Sequence, residues 1–390
     1  MAKQPYVFAQ FLDLLPRYEF QRIVNKYRGD YRTKSFKCWH QLACMIFAQI
    51  RQEDSLRDID ISLNAHSKKL YHIGIKQCPK STLADANERR DYRIFEDFAK
   101  SLMQTAHREY SQTELAVEVN NAVYALDAST IDLTLSLFPW AKFRKTKGAI
   151  KLHAMIDLRG NIPAFLIITD GKVHDVKAAP HVPIEPDGIY VVDRAYIDFE
   201  WLWNIHQAKA FFVTRLKKSI KWTRVISHPV DKSIGLRSDQ EILLFSKQSK
   251  AKYPNRLRRI SFRDEIQNRT LIFLTNNFAL SAETICALYK SRWEIELFFK
   301  WIKQNLKVKS FYGTSPNAVK TQIWISMIVY LVLAILKERY RLKNSLSHLL
   351  HFLEVNLFEQ KSLISIFQFN SREVKSGTLA RDKQLTLFDY

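Results

Sequence analysis

Tyr289, Arg292, Glu296 and Lys303 lie in the segment YKSRWEIELFFKWIKQNLKVK, at a spacing that could handle phosphate chemistry. Read as one helix at about 100° per residue, the segment places these four side chains within an arc of roughly 60°. Ile295, Phe298, Phe299, Ile302 and Leu306 fill the adjacent arc and form the stripe that must be buried. A carboxylate, two cations and a phenol would then leave one edge of a packed helix. Such an edge suits a cleft for phosphates, provided a metal ion lies between the carboxylate and the anion it would otherwise repel. The residues alone leave a plainer reading open. Arg292–Glu296 and Glu296–Lys300 are i,i+4 pairs that could decorate a solvated helix face.

Two aspartates upstream share one setting. Asp127 closes the apolar run NAVYALD, and Asp193 closes DGIYVVD. Ligand sites in open α/β sheets gather beyond the strand ends, and a carboxylate beside a sheet core needs a partner. Each aspartate could instead cap the segment after it.

The elements that must position these groups are legible as a change of pattern near residue 112. Before it, apolar residues recur at three and four, giving helices over Phe36–Ile50 and Leu56–Leu63. A third helix is expected from KSTLADANERR, capped by Ser81 or Thr82, with Thr82 and Asp85 as a capping box. Its early turns offer Asn87, Arg89 and Arg90. This is compatible with a helix-turn-helix DNA reader or with an ordinary helical bundle. From Val117 onward, strands are predicted to end at Asp127, over GAIKLHAMIDLRG, over IPAFLIIT, to end at Asp193, and over AFFVTRLK after a helix at Phe199–Gln207. EILLFSK, RRISFRD and RTLIFLTN predict three more strands. The helix bearing Glu296 begins near Ser281, a buried helix at Ala318–Arg339 packs back on the core, and a helical segment follows to about Phe369.

The spacing Tyr-x2-Arg-x3-Glu-x6-Lys resembles the YREK signature of insertion-sequence transposases of the Asp-Asp-Glu (DDE) class, and the chain is similar to their IS-four family. ALDAST resembles that family's first acidic motif and VVDRAY its second. The resemblance thereby makes Asp127, Asp193 and Glu296 the catalytic, metal-binding acids. It implies an α/β ribonuclease-H-like core, a mixed sheet with helices on both faces, interrupted by a β-rich insertion and preceded by an all-α domain. The expected division is 1–112 (helical, terminal-repeat recognition), 113–216 with 281–340 (catalytic core), 217–280 (insertion) and 341–390 (C-terminal region).

Three hard carboxylate ligands suit Mg²⁺ or Mn²⁺. Two such ions about 3.5–4 Å apart, bridged by Asp127, could drive in-line displacement at phosphorus. Tyr289, Arg292 and Lys303 would hold DNA phosphates, with Arg194 a further contact. The resemblance also implies double-stranded DNA as partner, a hairpin on the element's end, and a homodimer spanning both ends. The expected activity is binding of terminal inverted repeats followed by cleavage and strand transfer. A structure-selective nuclease with the same three acids and a non-catalytic DNA-binding regulator are the alternatives.

Composition agrees with a nucleic-acid partner. Sixty Lys and Arg against 39 Asp and Glu give a net charge of +21, which favours a polyanion. A size of 390 residues with 47% hydrophobic content supports one large core and a smaller domain. The longest apolar run, Ile323–Leu336, holds Ser326 and reads as a buried helix rather than a membrane span. The first twenty residues lack a signal-peptide pattern, so a cytoplasmic, nucleoid-associated protein without a membrane partner is expected. Cys38, Cys44, Cys78 and Cys286 form no CxxC or zinc spacing, predicting neither disulfide nor zinc.

Weaker candidates are the cationic stretch Lys142–His153, a DNA-backbone track or a solvated strand edge; His153, His174 and Asp175 near the acids; and Trp222 as a base-stacking or packing residue. The terminal QLTLFDY resembles a sliding-clamp peptide, with Gln384, Leu385, Leu387 and Phe388 as its contacts. A tail folded on its own domain is the other reading.

Overall fold

The computed structural model describes residues 4–265 and 267–367. Gln384, Leu385, Leu387 and Phe388, and the helical segment expected to reach Phe369, therefore lie at least partly outside the described residues. Two compact units divide the chain. One takes the described residues up to Ser111, Ile131–Ala149, and those from Phe299 on; the other takes Gln112–Thr130 and Ile150–Phe298.

The first unit opens with helices α1 (Val7–Asp13), α2 (Arg17–Lys26), α3 (Cys38–Ile50), α4 (Leu56–Ala65), α5 (Ser67–Ile73), α6 (Lys80–Arg89) and α7 (Arg93–Glu109). In α7, Ile94, Phe95, Phe98, Ala99, Leu102, Met103 and Ala106 are buried at three- and four-residue spacing, which is the amphipathic pattern that fixes a surface helix. Helix α6 starts one turn earlier than the capping box predicts. Its N-cap is Pro79, with no side-chain cap bond, so neither Ser81 nor Thr82 caps it.

The second unit is built on strands β1 (Val123–Leu133), β2 (Gly148–Asp157), β3 (Ile162–Asp170), β4 (Ile189–Val192), β5 (Phe211–Arg215), β6 (Trp222–His228), β7 (Leu236–Leu244), β8 (Leu257–Asp264) and β9 (Arg269–Thr275). Helices α8 (Asp175–Ala178) and α9 (Phe199–Gln207) precede and follow β4, and α10 (Lys247–Lys252) separates β7 from β8. The strands form one sheet in the order β3-β2-β1-β4-β5-β9-β8-β7-β6. β2 and β3 are antiparallel, whereas β1, β4 and β5 run parallel. This is the mixed α/β sheet expected of a ribonuclease-H-like domain.

Both faces of the parallel strands are covered, so they read as continuous apolar runs rather than as alternations. Tyr124, Leu126, Tyr190, Val192 and Phe212 pack with Trp201, Leu202 and Ile205 of α9. Val123, Ile189, Val191 and Val213 pack with Ile285, Leu288 and Tyr289 on the opposite face.

Four departures from expectation have local causes. β1 does not stop at Asp127 but runs on to Leu133, with Ile131 and Leu133 buried and Asp132 exposed, an alternation that begins only beyond the acid. The insertion holds four strands, not three. β6 escapes a hydrophobicity reading because all its residues after Trp222 are exposed, as suits the outer strand of a sheet. The insertion is also not separate from the core sheet, since β9 pairs antiparallel with β5.

The fourth departure concerns the helix bearing Glu296. It is two helices, α11 (Ala282–Ser291) and α12 (Trp293–Asn305), joined at Arg292. The Ser291 hydroxyl donates to the Leu288 carbonyl at 2.7 Å, the acceptor an unbroken helix would offer to the Arg292 amide. That amide bonds instead to the Tyr289 carbonyl at 3.3 Å, a tightened turn. The start of α11 is as expected, with the Ser281 side chain accepting from the Thr284 amide. The predicted stripe is also buried: Ile295, Phe298, Phe299, Ile302 and Leu306 are all at most 5% exposed.

The chain closes with α13 (Pro316–Arg339) and α14 (Leu346–Asn356). α13 has the length and hydropathy of a membrane span, but 94% of its most apolar window is buried. It packs against α3, α6, α7 and α14. A helix apolar on every side needs neighbours all round, and these helices supply them.

Candidate active site

Strand register decides where the acids go. β1 and β4 pair in parallel from Val123↔Ile189 to Leu126↔Val192. Asp127 and Asp193 each follow the last pair, so they sit side by side on neighbouring strands about 4.8 Å apart. Side chains alternate along a strand, so Asp127 shares the face of Val123, and Asp193 that of Ile189 and Val191. That is the face on which α11 packs.

Helix α11 carries the other half of the site. Tyr289 is buried, its ring 5.0 Å from that of Phe273. Its phenol reaches Asp193 Oδ1 at 3.5 Å, the outer limit of a hydrogen bond. At the α11–α12 junction, Arg292 donates from Nη1 to Asp127 Oδ2 at 3.0 Å and from Nη2 to Glu296 Oε1 at 2.5 Å. One guanidinium thus ties the first and third acids together, and its Nε is buried without a hydrogen-bond partner among the described residues. Asp127 also accepts from the Ala128 amide at 2.8 Å, and Asp193 accepts from the Ala195 amide at 3.3 Å.

The electrostatics follow from this crowding. Burial pushes the Asp127 carboxyl up to about 6. The Ala128 amide and Arg292 oppose that shift, while the negative charges of Glu296 and Asp193 add to it. Burial works against the charge on Arg292, but Tyr289, Asp127 and Glu296 outweigh it and hold its pKa above the ordinary value. The Tyr289 phenol is raised, first by burial.

Tyr196 is a residue that sequence reasoning missed. It is fully buried, and its hydroxyl has no hydrogen-bond partner among the described residues. Burial raises its pKa, and the charges of Asp175, Asp127 and Asp193 raise it further. The available signal was its place in VVDRAY, three residues after Asp193, at the end of the 3-10 turn Arg194–Tyr196 that the aspartate caps.

Other predicted residues are placed as follows. Arg194 is exposed at the start of that turn. Lys303 is half-buried on α12, in the part of the chain assigned to the first unit. Burial and the charge of Lys309 lower its pKa, with Asp132 opposing. His153 is fully buried, with Nε2 3.0 Å from Thr169 Oγ1 and Nδ1 3.8 Å from Asp175. Lys151 binds Asp175 at 3.1 Å, so this cluster holds a loop. Trp222 lies under the Arg259 guanidinium at 4.7 Å.

Two residues proposed to read DNA are corrected. Asn87 is only 2% exposed, and its amide is used by Gln41 and Met45. Arg90 donates to Gln41 at 3.1 Å and to the Phe36 carbonyl. Both side chains are committed to the helical unit's interior, and only Arg89 of the three is exposed.

Asp127, Asp193 and Glu296 supply hard oxygens at one end of the sheet, and burial, with the charges of Glu296 and Asp193 adding to it, raises Asp127. They do not form a single chelate. Among the described residues no three His, Cys, Asp or Glu side chains are grouped to hold a metal ion. Arg292 takes the cation's electrostatic place between Asp127 and Glu296. The ligand types fit a hard cation; closing them around it requires Arg292 to let go.

Comparison with known proteins bears on this arrangement. A family described as the transposase DDE domain matches residues 121–332, which include both aspartates and the glutamate. A protein of Sinorhizobium fredii named as a transposase, y4zB, is 33% identical over 291 residues, covering 73% of this chain and 79% of its own. This chain belongs to the DDE transposases. It is accordingly an enzyme that acts on DNA, of a class dependent on divalent metal. A protein of Geobacillus stearothermophilus, named for the insertion sequence element IS5377, is 27% identical over 276 residues, covering 70% of this transposase and 71% of that protein. Another from Synechocystis, named for IS4SA, is 24% identical over 290 residues, covering 73% of this chain and 79% of that one. Residues 3–76 match a family described only as a domain of unknown function, DUF4372. A cryo-EM structure of a piggyBac transposase synaptic complex with hairpin DNA aligns over 98% of this chain and 86% of that one, with 12% identity and a TM-score of 0.44.

Proposed function

We propose that the chain is an IS-four-type transposase that binds the terminal inverted repeats of an insertion sequence, cuts the DNA at its ends and joins them to a target. The observation that carries this reading is the β1–β4 register, which sets Asp127 beside Asp193 on the face where α11 delivers Tyr289 and Arg292. The YREK spacing supports the family subdivision.

Asp127, Asp193 and Glu296 are assigned as the ligands of Mg²⁺ or Mn²⁺, taken up as two ions. Such ions would supply charge neutralisation and activation of water or a 3′-hydroxyl. The rest follows from the chain's own groups. Arg292, once freed from the two carboxylates, retains a two-pronged donor suited to a phosphate. Tyr289 is braced by Phe273, so its phenol is held at a fixed place beside Asp193. Arg194 is exposed directly after that acid and is assigned to the DNA backbone, as is Lys303 on α12. Arg89 remains a candidate for terminal-repeat contact. Two DNA ends call for a homodimer in the DNA complex, and the terminal QLTLFDY is assigned to a sliding clamp.

The deciding experiment is strand transfer with a 3′-hydroxyl donor carrying the element's end. Asp127→Asn, Asp193→Asn and Glu296→Gln should each abolish Mg²⁺-dependent cleavage and joining while DNA binding persists. Normal cleavage by any of the three would overturn the assignment, and cleavage without joining by the unaltered chain would favour a nuclease.

A further inference from the structure

The loop between α2 and α3 is held in one shape by the end of α2 and by the helices it rests on. Arg28 and Arg32 both have left-handed backbone, with φ of 52° and 55°. At Arg28 it closes α2 with a Schellman cap, the Gly29 amide donating to the Val24 carbonyl at 2.9 Å and the Arg28 amide to the Asn25 carbonyl at 3.1 Å, so the helix end fixes where this side chain leaves the loop. The loop is firmly seated. A Cβ at Gly29 would lie 2.5 Å from Ile94 Cδ1 and 2.7 Å from Cys38 Sγ, so this residue presses directly on the helices. Asp30 Oδ1 accepts from the Cys38 amide at 2.7 Å, and the Thr33 amide donates to the Asp30 carbonyl at 3.1 Å.

What this anchored loop presents is cationic. Arg28, Tyr31, Arg32 and Lys34 are exposed, Tyr31 by 65%. The Arg32 guanidinium lies 5.2 Å from the Tyr31 ring centre, which braces it. Among the described residues, Arg28, Arg32 and Lys34 have no carboxylate partner. The loop forms one wall of a cleft whose other wall is α6, where Arg89 pairs with Asp85 at 2.7 Å. Cations held on a rigid loop without partners retain their full attraction for an anion and lose little freedom on binding it.

The geometry points to this cleft as a binding site for the phosphate backbone of duplex DNA, with Arg28, Arg32 and Lys34 as the contacts. The inference rests on the transposase reading and adds, to the terminal-repeat recognition expected of residues 1–112, a backbone contact at three named residues within the stretch 3–76 that matches a domain of unknown function. These contacts would be insensitive to sequence, because phosphates position a protein while base edges specify it.

The test uses the full chain in EDTA and a fluorescent random-sequence duplex of about 30 base pairs, with anisotropy read from about 50 to about 200 mM KCl. Each phosphate contact contributes about 0.9 to the slope of log affinity against log salt. The variant Arg28→Gln/Arg32→Gln/Lys34→Gln should therefore have a slope shallower by about 2 to 3. A charge-matched control, Arg57→Gln/Lys343→Gln/Lys361→Gln, should leave the slope nearly unaltered. The double variant Arg28→Gln/Lys34→Gln keeps the Arg32–Tyr31 contact and should lose about 2; it stands in should the triple variant lose its circular dichroism. An unchanged slope, an equal effect of the control, or equal competition by polyglutamate would overturn the proposal. Failure of the unaltered chain to bind any duplex would instead strike the transposase reading itself.

Discussion

Arg292→Gln should loosen the active site locally when no metal is present. The guanidinium makes charge-assisted bonds of 3.0 Å to Asp127 and 2.5 Å to Glu296. The side chains of Arg292, Asp127 and Glu296 are 15%, 22% and 34% exposed. Removing one member of a largely buried ion pair costs about 3–5 kcal/mol, because the other charge is left without compensation. Glu296 is wet enough to recover part of its hydration, so the lower end, about 3 kcal/mol, applies here. At about 1.4 kcal/mol per decade this is a roughly 100-fold loss of protection against amide exchange. Hydrogen exchange followed by mass spectrometry in EDTA would read it in peptides spanning Tyr289–Phe298 and Val123–Asp127. Arg292→Lys, which cannot reach both acids, should fall between. Mg²⁺ should restore more protection to Arg292→Gln than to the parent chain, since no resident cation then competes for the carboxylates. Unaltered protection in both peptides would refute the argument that Arg292 holds the apo site together.

Three further outcomes follow from buried polar groups. Burial lowers the His153 pKa to about 4 from its ordinary 6.5; the unfolded chain therefore binds the extra proton first, and up to about 3 kcal/mol of stability should be lost as pH falls from 6.5 towards 4. Urea unfolding across that range should show the loss, and His153→Gln should flatten it. Asp239→Ala strands Arg258, whose guanidinium binds Asp239 at 2.7 Å with both side chains 9% exposed, and should cost about 3–5 kcal/mol in urea unfolding. Tyr196→Phe removes a hydroxyl that has no partner among the described residues, so stability in urea unfolding should change by no more than about 1 kcal/mol.

How much of this was legible depended on whether a residue's neighbours in sequence are also its neighbours in space. The apolar runs before Asp127 and Asp193, the Ser281 cap of α11 and the buried stripe of α12 are local properties, and they could be read directly. The continuation of β1 was also local, since Ile131 and Leu133 alternate with Asp132, but a strand end was expected at the acid. The break at Arg292 depends on a Ser291 hydroxyl choosing a backbone acceptor, which no periodicity reports. Asn87 and Arg90 have the residue types of a DNA reader, yet Gln41 and Met45 of α3 and Phe36 in the loop before it claim them. β6 lacked any apolar alternation to find.

The β1–β4 register deserves the greater weight in explaining why the site exists at all. A one-residue slip of β4 against β1 would turn its side chains to the opposite face. Ile189 and Val191 would then meet α9, and Tyr190 and Val192 would meet α11, so the slip is opposed by both cores at once. Asp193 would go with the slipped strand, away from Tyr289 and from the Asp127–Arg292–Glu296 bridge. The same apolar contacts that make the sheet stable therefore hold the two aspartates on one face. The repulsion between them is the cost of that placement, and it is borne by the packing of Val123, Ile189 and Val191 beneath them.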